Sequence, residues 1–206
     1  MSDGAGKPPV VIASEQTSVT SGTDVQEKLI SASQVFSNLL KPTYGPRGLD
    51  KMLYKTDGNT AITNDGAKIV SELLVKHPAA KMLVSMCESQ EEACGDGVTT
   101  TMLLCGSLLQ EASTLLRKGL HPLTLVDGYR ASLSAAISQM DEDAQEASED
   151  RVVAVAETAL RGKGAEVALD LFSSLVVEAL TAVSSSGGEP RADKVSMFKS
   201  GKGSLR

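Results

Sequence analysis

Apolar residues along this chain recur mostly three and four positions apart, the spacing of one face of an α-helix. Val25, Leu29, Ala32, Val35, Phe36, Leu39 and Leu40 keep that spacing until Pro42, which has no N–H with which to continue a helix. Thr23 followed by Gln26 gives this first helix a capping-box start. Further helical stretches run from Asn64-Asp65-Gly66 to Leu74, from Pro78 to a glycine pair at Gly95 and Gly97, and from Val98 to Arg117, where Gly119 stops the pattern. Others run from Pro122, a favourable first-turn residue, to Met140, from Arg151 to Leu160 and from Gly164 to Val183. The period changes to two over Lys51 to Lys55 and Thr60 to Thr63, which around Asp57-Gly58-Asn59 predicts a β-hairpin. Val10-Val11-Ile12 and Lys194 to Lys199 predict two single strands. The expected fold is therefore mostly α: a helical bundle with a small β-hairpin and a C-terminal strand.

Composition sharpens this picture. The chain has 206 residues, 41% of them hydrophobic but with no Trp and only three Tyr and three Phe, which points to an aliphatic helix-on-helix core. Residues 1–22 read as a polar tail, residues 23–150 as the main helical domain and residues 151–206 as a segment leading out of it, with Ser184 to Pro190 as a linker. Asp141 to Asp150 holds six acidic residues in ten and reads as a solvated connection between helices. A net charge of −6 argues against a nucleic-acid partner, because affinity for a phosphate backbone rests on basic surface. Neither a secretory leader nor an apolar run of about 18 residues, the length of a membrane span, is present, so no membrane partner and a cytoplasmic location are expected. Cys87, Cys94 and Cys105 are odd in number, lack metal-ligand spacing and fall within helical patterns, which predicts buried, reduced thiols.

The candidate chemistry lies between two helical stretches, in Gly95-Asp96-Gly97-Val98-Thr99-Thr100-Thr101. Two glycines allow the backbone to approach an anion and turn its N–H groups inward, and the helix that follows would set its N-terminus against phosphates. Asp96 is a hard oxygen ligand of the kind that suits Mg²⁺. The same residues also fit a capped interhelical turn, with Asp96 and Thr99 satisfying orphan backbone donors. The pattern is not a P-loop, since no Gly-Lys-[Ser/Thr] follows a strand.

Further segments, in this order and spacing, decide between these readings. Thr43-Tyr44-Gly45-Pro46-Arg47-Gly48-Leu49-Asp50-Lys51-Met52-Leu53, Ile62-Thr63-Asn64-Asp65-Gly66-Ala67, His77-Pro78-Ala79-Ala80-Lys81-Met82-Leu83, Gly119-Leu120-His121-Pro122 and Thr158 to Glu166 resemble signature segments of the group II chaperonins, the family of the archaeal thermosome and the eukaryotic cytosolic chaperonin. The resemblance runs from about Val10 to the last residue and implies the N-terminal equatorial part of a subunit, with the C-terminal strand beginning the intermediate domain. It implies an ATPase that works as a protein-folding chaperone. Its partners would be other chaperonin subunits in a homo- or hetero-oligomeric double ring, and non-native polypeptides bound by domains this chain lacks. The hairpin would join a neighbouring subunit's sheet.

What the resemblance implies for the site is specific. Asp96 would hold Mg²⁺, while Gly97, Val98, Thr99 and Thr100 would hold the β- and γ-phosphates of ATP, and Gly95 would also belong to the nucleotide-binding loop. Tyr44, Gly45 and Pro46 would lie against the sugar and α-phosphate, Asp65 would position water or a second cation, and Lys163, beside Gly162, would sense the terminal phosphate. The chain departs from the family pattern at Val98, where a threonine is usual, and more mildly at Tyr44, Arg47 and Lys68. Loss of the hydroxyl at position 98 implies weaker affinity or slower hydrolysis. The expected second catalytic aspartate lies outside this chain, which leaves two forms of the expectation: part of a working subunit, or a short chaperonin-like module with little ATPase of its own.

Overall fold

The computed structural model describes residues 21–45, 47–54, 58, 60–184 and 192–198. Among these the chain is mostly helical: α1 (Thr23–Leu40), α2 (Gly66–Ser71), α3 (Pro78–Cys94), α4 (Val98–Arg117), α5 (Pro122–Asp143), α6 (Glu149–Leu160) and α7 (Leu169–Val183), with one antiparallel hairpin of β1 (Lys51–Tyr54) and β2 (Thr60–Thr63). They form two compact units, one of residues up to Lys41 with Gly66–Gly119, the other of Pro42–Asp65 with the residues from Leu120 onward.

The first unit holds the buried apolar core. Phe36 and Leu40 of α1, Ile69 and Val70 of α2, Ala80, Leu83 and Cys87 of α3, and Val98, Met102 and Ala112 of α4 are all buried. Each fully buried Leu, Ile or Met contributes roughly 1.5–3 kcal/mol of hydrophobic stabilisation, which a six-residue helix such as α2 could not supply from its own backbone. α1 approaches α4 where Gly106 presents no side chain: a Cβ there would overlap Ser37 Oγ. The contact is polar as well as close. Ser37 Oγ donates to the Met102 carbonyl at 3.2 Å, and Gln34 Nε2 donates to the Gly106 carbonyl at 2.7 Å.

Helix ends account for several differences from the sequence pattern. α1 begins after Gly22, which takes the N-cap position with φ 69° and has no side chain with which to cap, so Thr23 lies inside the helix and the Thr23–Gln26 capping box does not form. α2 stops at Ser71, three residues before Leu74. The chain's two histidines, His77 and His121, share one role that the pattern did not disclose. Each stands before a proline, and its Nδ1 accepts from the backbone N–H two residues on, Ala79 or Leu123, at 3.2 Å. Proline removes one orphan donor at the first helical position and the imidazole satisfies another.

In the second unit, Met52 pairs with Ile62 and Tyr54 with Thr60 across the hairpin. Met52, Tyr54 and Ile62 are 70, 75 and 65% exposed. α6 packs against α7, with Ser173 fully buried. Residues Gly164–Ala168 form a 3-10 turn, so α7 begins five residues later than the pattern implied. α5 runs to Asp143 and α6 opens at Glu149, with Glu149 and Asp150 in its first turn, where carboxylates meet the positive end of the helix dipole. The expected strand at Lys194 to Lys199 is not present over Lys194–Phe198: Ala192–Lys194 is a 3-10 turn and Val195 to Phe198 has no regular structure. A strand needs partners for its N–H and C=O groups, and the sheet among the described residues has only β1 and β2. Val10 to Ile12, Asp57, Asn59, the stretch 185–190 and Lys199 lie outside the described residues.

The thiols divide by position. Cys87 is buried and Cys105 half-buried, but Cys94, the last residue of α3, is exposed, which corrects the expectation that all three are buried. Burial, then the neighbouring Cys105 and Glu88, push the Cys87 thiol up to about 11, and burial also raises Cys105.

Three outcomes follow from this packing. Iodoacetamide should label Cys94 first, Cys105 next and Cys87 last, as read by mass spectrometry, because at pH 8 a thiol of pKa about 11 is ionised only at roughly one part in a thousand. The raised thiol also means that the folded chain holds more protons than the unfolded one between 9.0 and about 11, so stability conferred by Cys87 is present below that window and falls as pH rises through it. Gly106→Ala should lower unfolding stability by roughly 1–3 kcal/mol through overpacking against Ser37, measured by chemical denaturation.

Candidate functional site

α3 and α4 are joined by a turn of three residues, and its form follows from its glycines. Gly95 has φ 67° and ψ 6°, the left-handed conformation that ends α3, with its N–H donating to the Glu91 carbonyl at 2.8 Å. Gly97 has φ 84° and ψ 3° and is the N-cap of α4. Left-handed residues on both sides of Asp96 reverse the chain within one residue, which side chains at either position would oppose. Because the N-cap is a glycine, no side chain caps α4, and the amides of its first turn, Val98, Thr99 and Thr100, face the end of a 20-residue helix. The Gly97 carbonyl still accepts the first helical bond, from Thr101 N at 2.9 Å.

Asp96 lies exposed between the two glycines. Its Oδ1 accepts from Gly97 N at 2.7 Å, and its main-chain carbonyl accepts from Gln90 Nε2 at 3.0 Å. Gly66, the first residue of α2, packs so closely on α4 that a Cβ would overlap Thr99 Oγ1. Val98 is only 3% exposed: its methyls lie in the core, and it offers no hydroxyl to the turn. Lys68 pairs with Glu72, just past the end of α2, at 2.6 Å, so its charge is engaged locally.

The remaining candidate residues belong to the second unit. Tyr44 is 54% exposed, and Gly45, at φ 86°, opens a turn in which Gly48 N donates to its carbonyl at 2.9 Å. Leu49 N closes the loop on the Pro42 carbonyl at 2.9 Å, while Pro46 lies outside the described residues. Asp65 is exposed, and its N–H donates to Thr63 Oγ1 at 3.1 Å. Arg161 (φ −63°, ψ 142°) and Gly162 (φ 72°), with Lys163 N donating to the Leu160 carbonyl at 3.3 Å, make a type II turn that presents Lys163 on the surface. The Gly162 N–H is held by Glu166 Oε2 at 3.0 Å and its carbonyl by Asn64 Nδ2 at 3.3 Å. Asn64 thus ties the segment carrying Asp65 to the turn carrying Lys163. Sequence reasoning gave Gln90, Asn64 and Glu166 no role of their own; Asn64 and Glu166 lie within signature-like segments, and Gln90 carries only the signal of a polar side chain near a glycine turn.

A mostly helical chain with a small hairpin and an acidic two-glycine turn is the class of domain that these residues define. Residues 36–206 match the TCP-1/cpn60 chaperonin family, and the chain belongs to that family. It is 42% identical over 180 residues to thermosome subunit alpha of Archaeoglobus fulgidus, 40% over 186 residues to thermosome subunit alpha of Halobacterium salinarum and 38% over 195 residues to thermosome subunit beta of Methanothermobacter thermautotrophicus. These alignments cover 85, 89 and 94% of this chain and 33, 33 and 36% of the relatives. The chain spans about a third of the length of the curated relatives it matches. Among the described residues no helix is long and apolar enough to cross a membrane.

The close fit of Gly66 on α4 yields a direct test. Gly66→Ala should displace the first turn of α4 and lower stability by roughly 1–3 kcal/mol, and adding Thr99→Ala should recover part of the loss, as seen in a thermal double-mutant cycle.

Proposed function

We propose that this chain is the ATP-binding, subunit-contacting equatorial part of a chaperonin subunit that assists protein folding, with Mg²⁺ as the nucleotide's metal. The observation that carries the reading is the α3–α4 turn: left-handed Gly95 and Gly97 around an exposed Asp96, followed by an uncapped helix N-terminus. Such an end offers N–H donors and the positive end of a helix dipole to an anion, and the two glycines add no side chain of their own to the approach.

The residues fit the groups they would hold. The amides of Val98, Thr99 and Thr100 and the threonine hydroxyls would hold phosphate oxygens, with Gly97, whose N–H is engaged by Asp96 Oδ1, lining the approach. Among the described residues no three His, Cys, Asp or Glu side chains gather into a ready metal site. Mg²⁺ suits this arrangement, since it is commonly held through one or two carboxylates together with substrate phosphates, and Asp96 would be that carboxylate. Bound there, the metal would neutralise charge on the phosphates. Following the family pattern, Tyr44 and Gly45, with Pro46, would contact the sugar and α-phosphate, Asp65 would position water or a second cation, and Lys163, beside Gly162, would sense the terminal phosphate. The surface turn that carries Lys163 supports a sensing role, because a short loop moves more readily than a helix. Other chaperonin subunits, in a cytoplasmic ring, and non-native polypeptides are the proposed partners of the whole protein. The exposed apolar face of the hairpin supports the subunit contact.

Val98 favours a second reading, a chaperonin-like module with little ATPase of its own, because its buried side chain supplies no hydroxyl to the turn.

Calorimetric titration of the chain with ATP, with and without Mg²⁺, separates the outcomes. Mg-dependent binding is expected, lost in Asp96→Ala and weakened in Lys163→Ala; unchanged affinity in Asp96→Ala would overturn the assignment of the turn. Binding without hydrolysis in a subunit-complemented ring would favour the second reading.

A further inference from the structure

Both polar ends of one peptide group, the bond between Asp96 and Gly97, are held by side chains. Its carbonyl, on Asp96, accepts from Gln90 Nε2 at 3.0 Å, and its N–H, on Gly97, donates to Asp96 Oδ1 at 2.7 Å. A peptide plane beside a left-handed glycine has few steric restraints of its own, so these two bonds set its orientation. They act in series. Gln90 fixes the carbonyl, the rigid plane carries that orientation to the N–H, and the N–H fixes Oδ1 of the carboxylate. The Gln90 amide also lies across the Cα of Gly97, where an added Cβ would stand 3.1 Å from Nε2 and 3.9 Å from Cδ. Gln90 comes from the body of α3, is half-buried and so has a rigid base from which to act.

We infer that Gln90 is a positioning residue for Asp96: by clamping the Asp96–Gly97 peptide, it holds the carboxylate in one orientation and leaves Oδ2 for a divalent cation. The inference rests on the nucleotide reading above, and it extends that reading to a side chain that would touch neither nucleotide nor metal. A metal ligand held by a fixed outer partner binds more tightly than a freely rotating one, and loss of such a partner commonly costs about 10- to 100-fold in metal affinity.

The test has two arms, both on the 206-residue chain and its Gln90→Met and Gln90→Glu variants. Methionine keeps the length of the side chain and removes the donor; glutamate turns an acceptor toward the Asp96 carbonyl. In the nucleotide-free protein, amide hydrogen exchange followed by NMR should show Gly97 exchanging roughly three- to tenfold faster in Gln90→Met, the weight of one net hydrogen bond, and faster still in Gln90→Glu, with the amides in the middle of α4 unchanged. In the second arm, the Mg²⁺ concentration that half-saturates binding at fixed ATP should rise by about tenfold, with the thermal midpoint unchanged. Unaltered Gly97 exchange in both variants would overturn the clamp. Faster exchange with an unmoved Mg²⁺ midpoint would overturn its role toward the metal. A wild-type chain with a protected Gly97 amide and no Mg-dependent ATP binding would instead refute the nucleotide reading, and the role of Gln90 toward a metal with it, while leaving the clamp in place.

Discussion

The distance between α1 and α4 is set by the absence of one methyl group, at Gly106. Ser37 occupies the space that a side chain there would take, and the resulting approach lets Ser37 and Gln34 donate to main-chain carbonyls of α4. Carbonyls inside a helix are already bonded along the axis, so these are additional bonds that hold one helix against its neighbour in a particular register. With α4 held in this way, Val98 and Met102 reach the same core as Phe36 and Leu40, and Thr99 meets Gly66. The N-terminal turn of α4 is therefore supported by tertiary packing from two sides, which a helix end seldom has, since ends fray when only their own backbone holds them.

On that support the α3–α4 turn can be both open and ordered. Glycine at Gly95 and Gly97 removes side chains from the approach to the amides but also removes restraint, because glycine is the residue with the most backbone freedom. The bonds from Glu91, Gln90 and Asp96 restore the restraint. The turn at Gly162 is built on the same plan, with Glu166 and Asn64 holding the N–H and carbonyl of a left-handed glycine. In both places a glycine makes the chain reversal, and neighbouring polar side chains decide which way its peptide groups face.

The second unit is held differently. Its described core is slight, with Ser173 fully buried between apolar helices and α5 burying no residue, while Met52, Tyr54 and Ile62 stay exposed on the hairpin. Backbone pairing across β1 and β2 and the packing of α6 on α7 organise these residues more than apolar burial does. Marginal burial of this kind leaves surfaces free for contact, and it is the physical ground for the proposal that the hairpin meets another subunit.

Much was legible in the chain before its structure. Periodicity found every long helix and both strands of the hairpin, because a repeat of 3.6 or 2 is a local property that survives whatever the tertiary contacts are. Gly95, Asp96 and Gly97 could be recognised as an open acidic turn, since a left-handed backbone strongly favours glycine. Family membership was legible too, through several signature-like segments, and the comparison bears that membership out. What could not be read depended on partners distant in sequence or on competition at helix ends. The strand expected at Lys194 to Lys199 had the right alternation but, among the described residues, no neighbour; the capping box at Thr23 lost its place to Gly22, and Val98 was read by its missing hydroxyl although its burial decides its role. Gln90 and the histidine caps were invisible for the same reason: a polar side chain announces that it can make a hydrogen bond, and only the folded chain decides with which group.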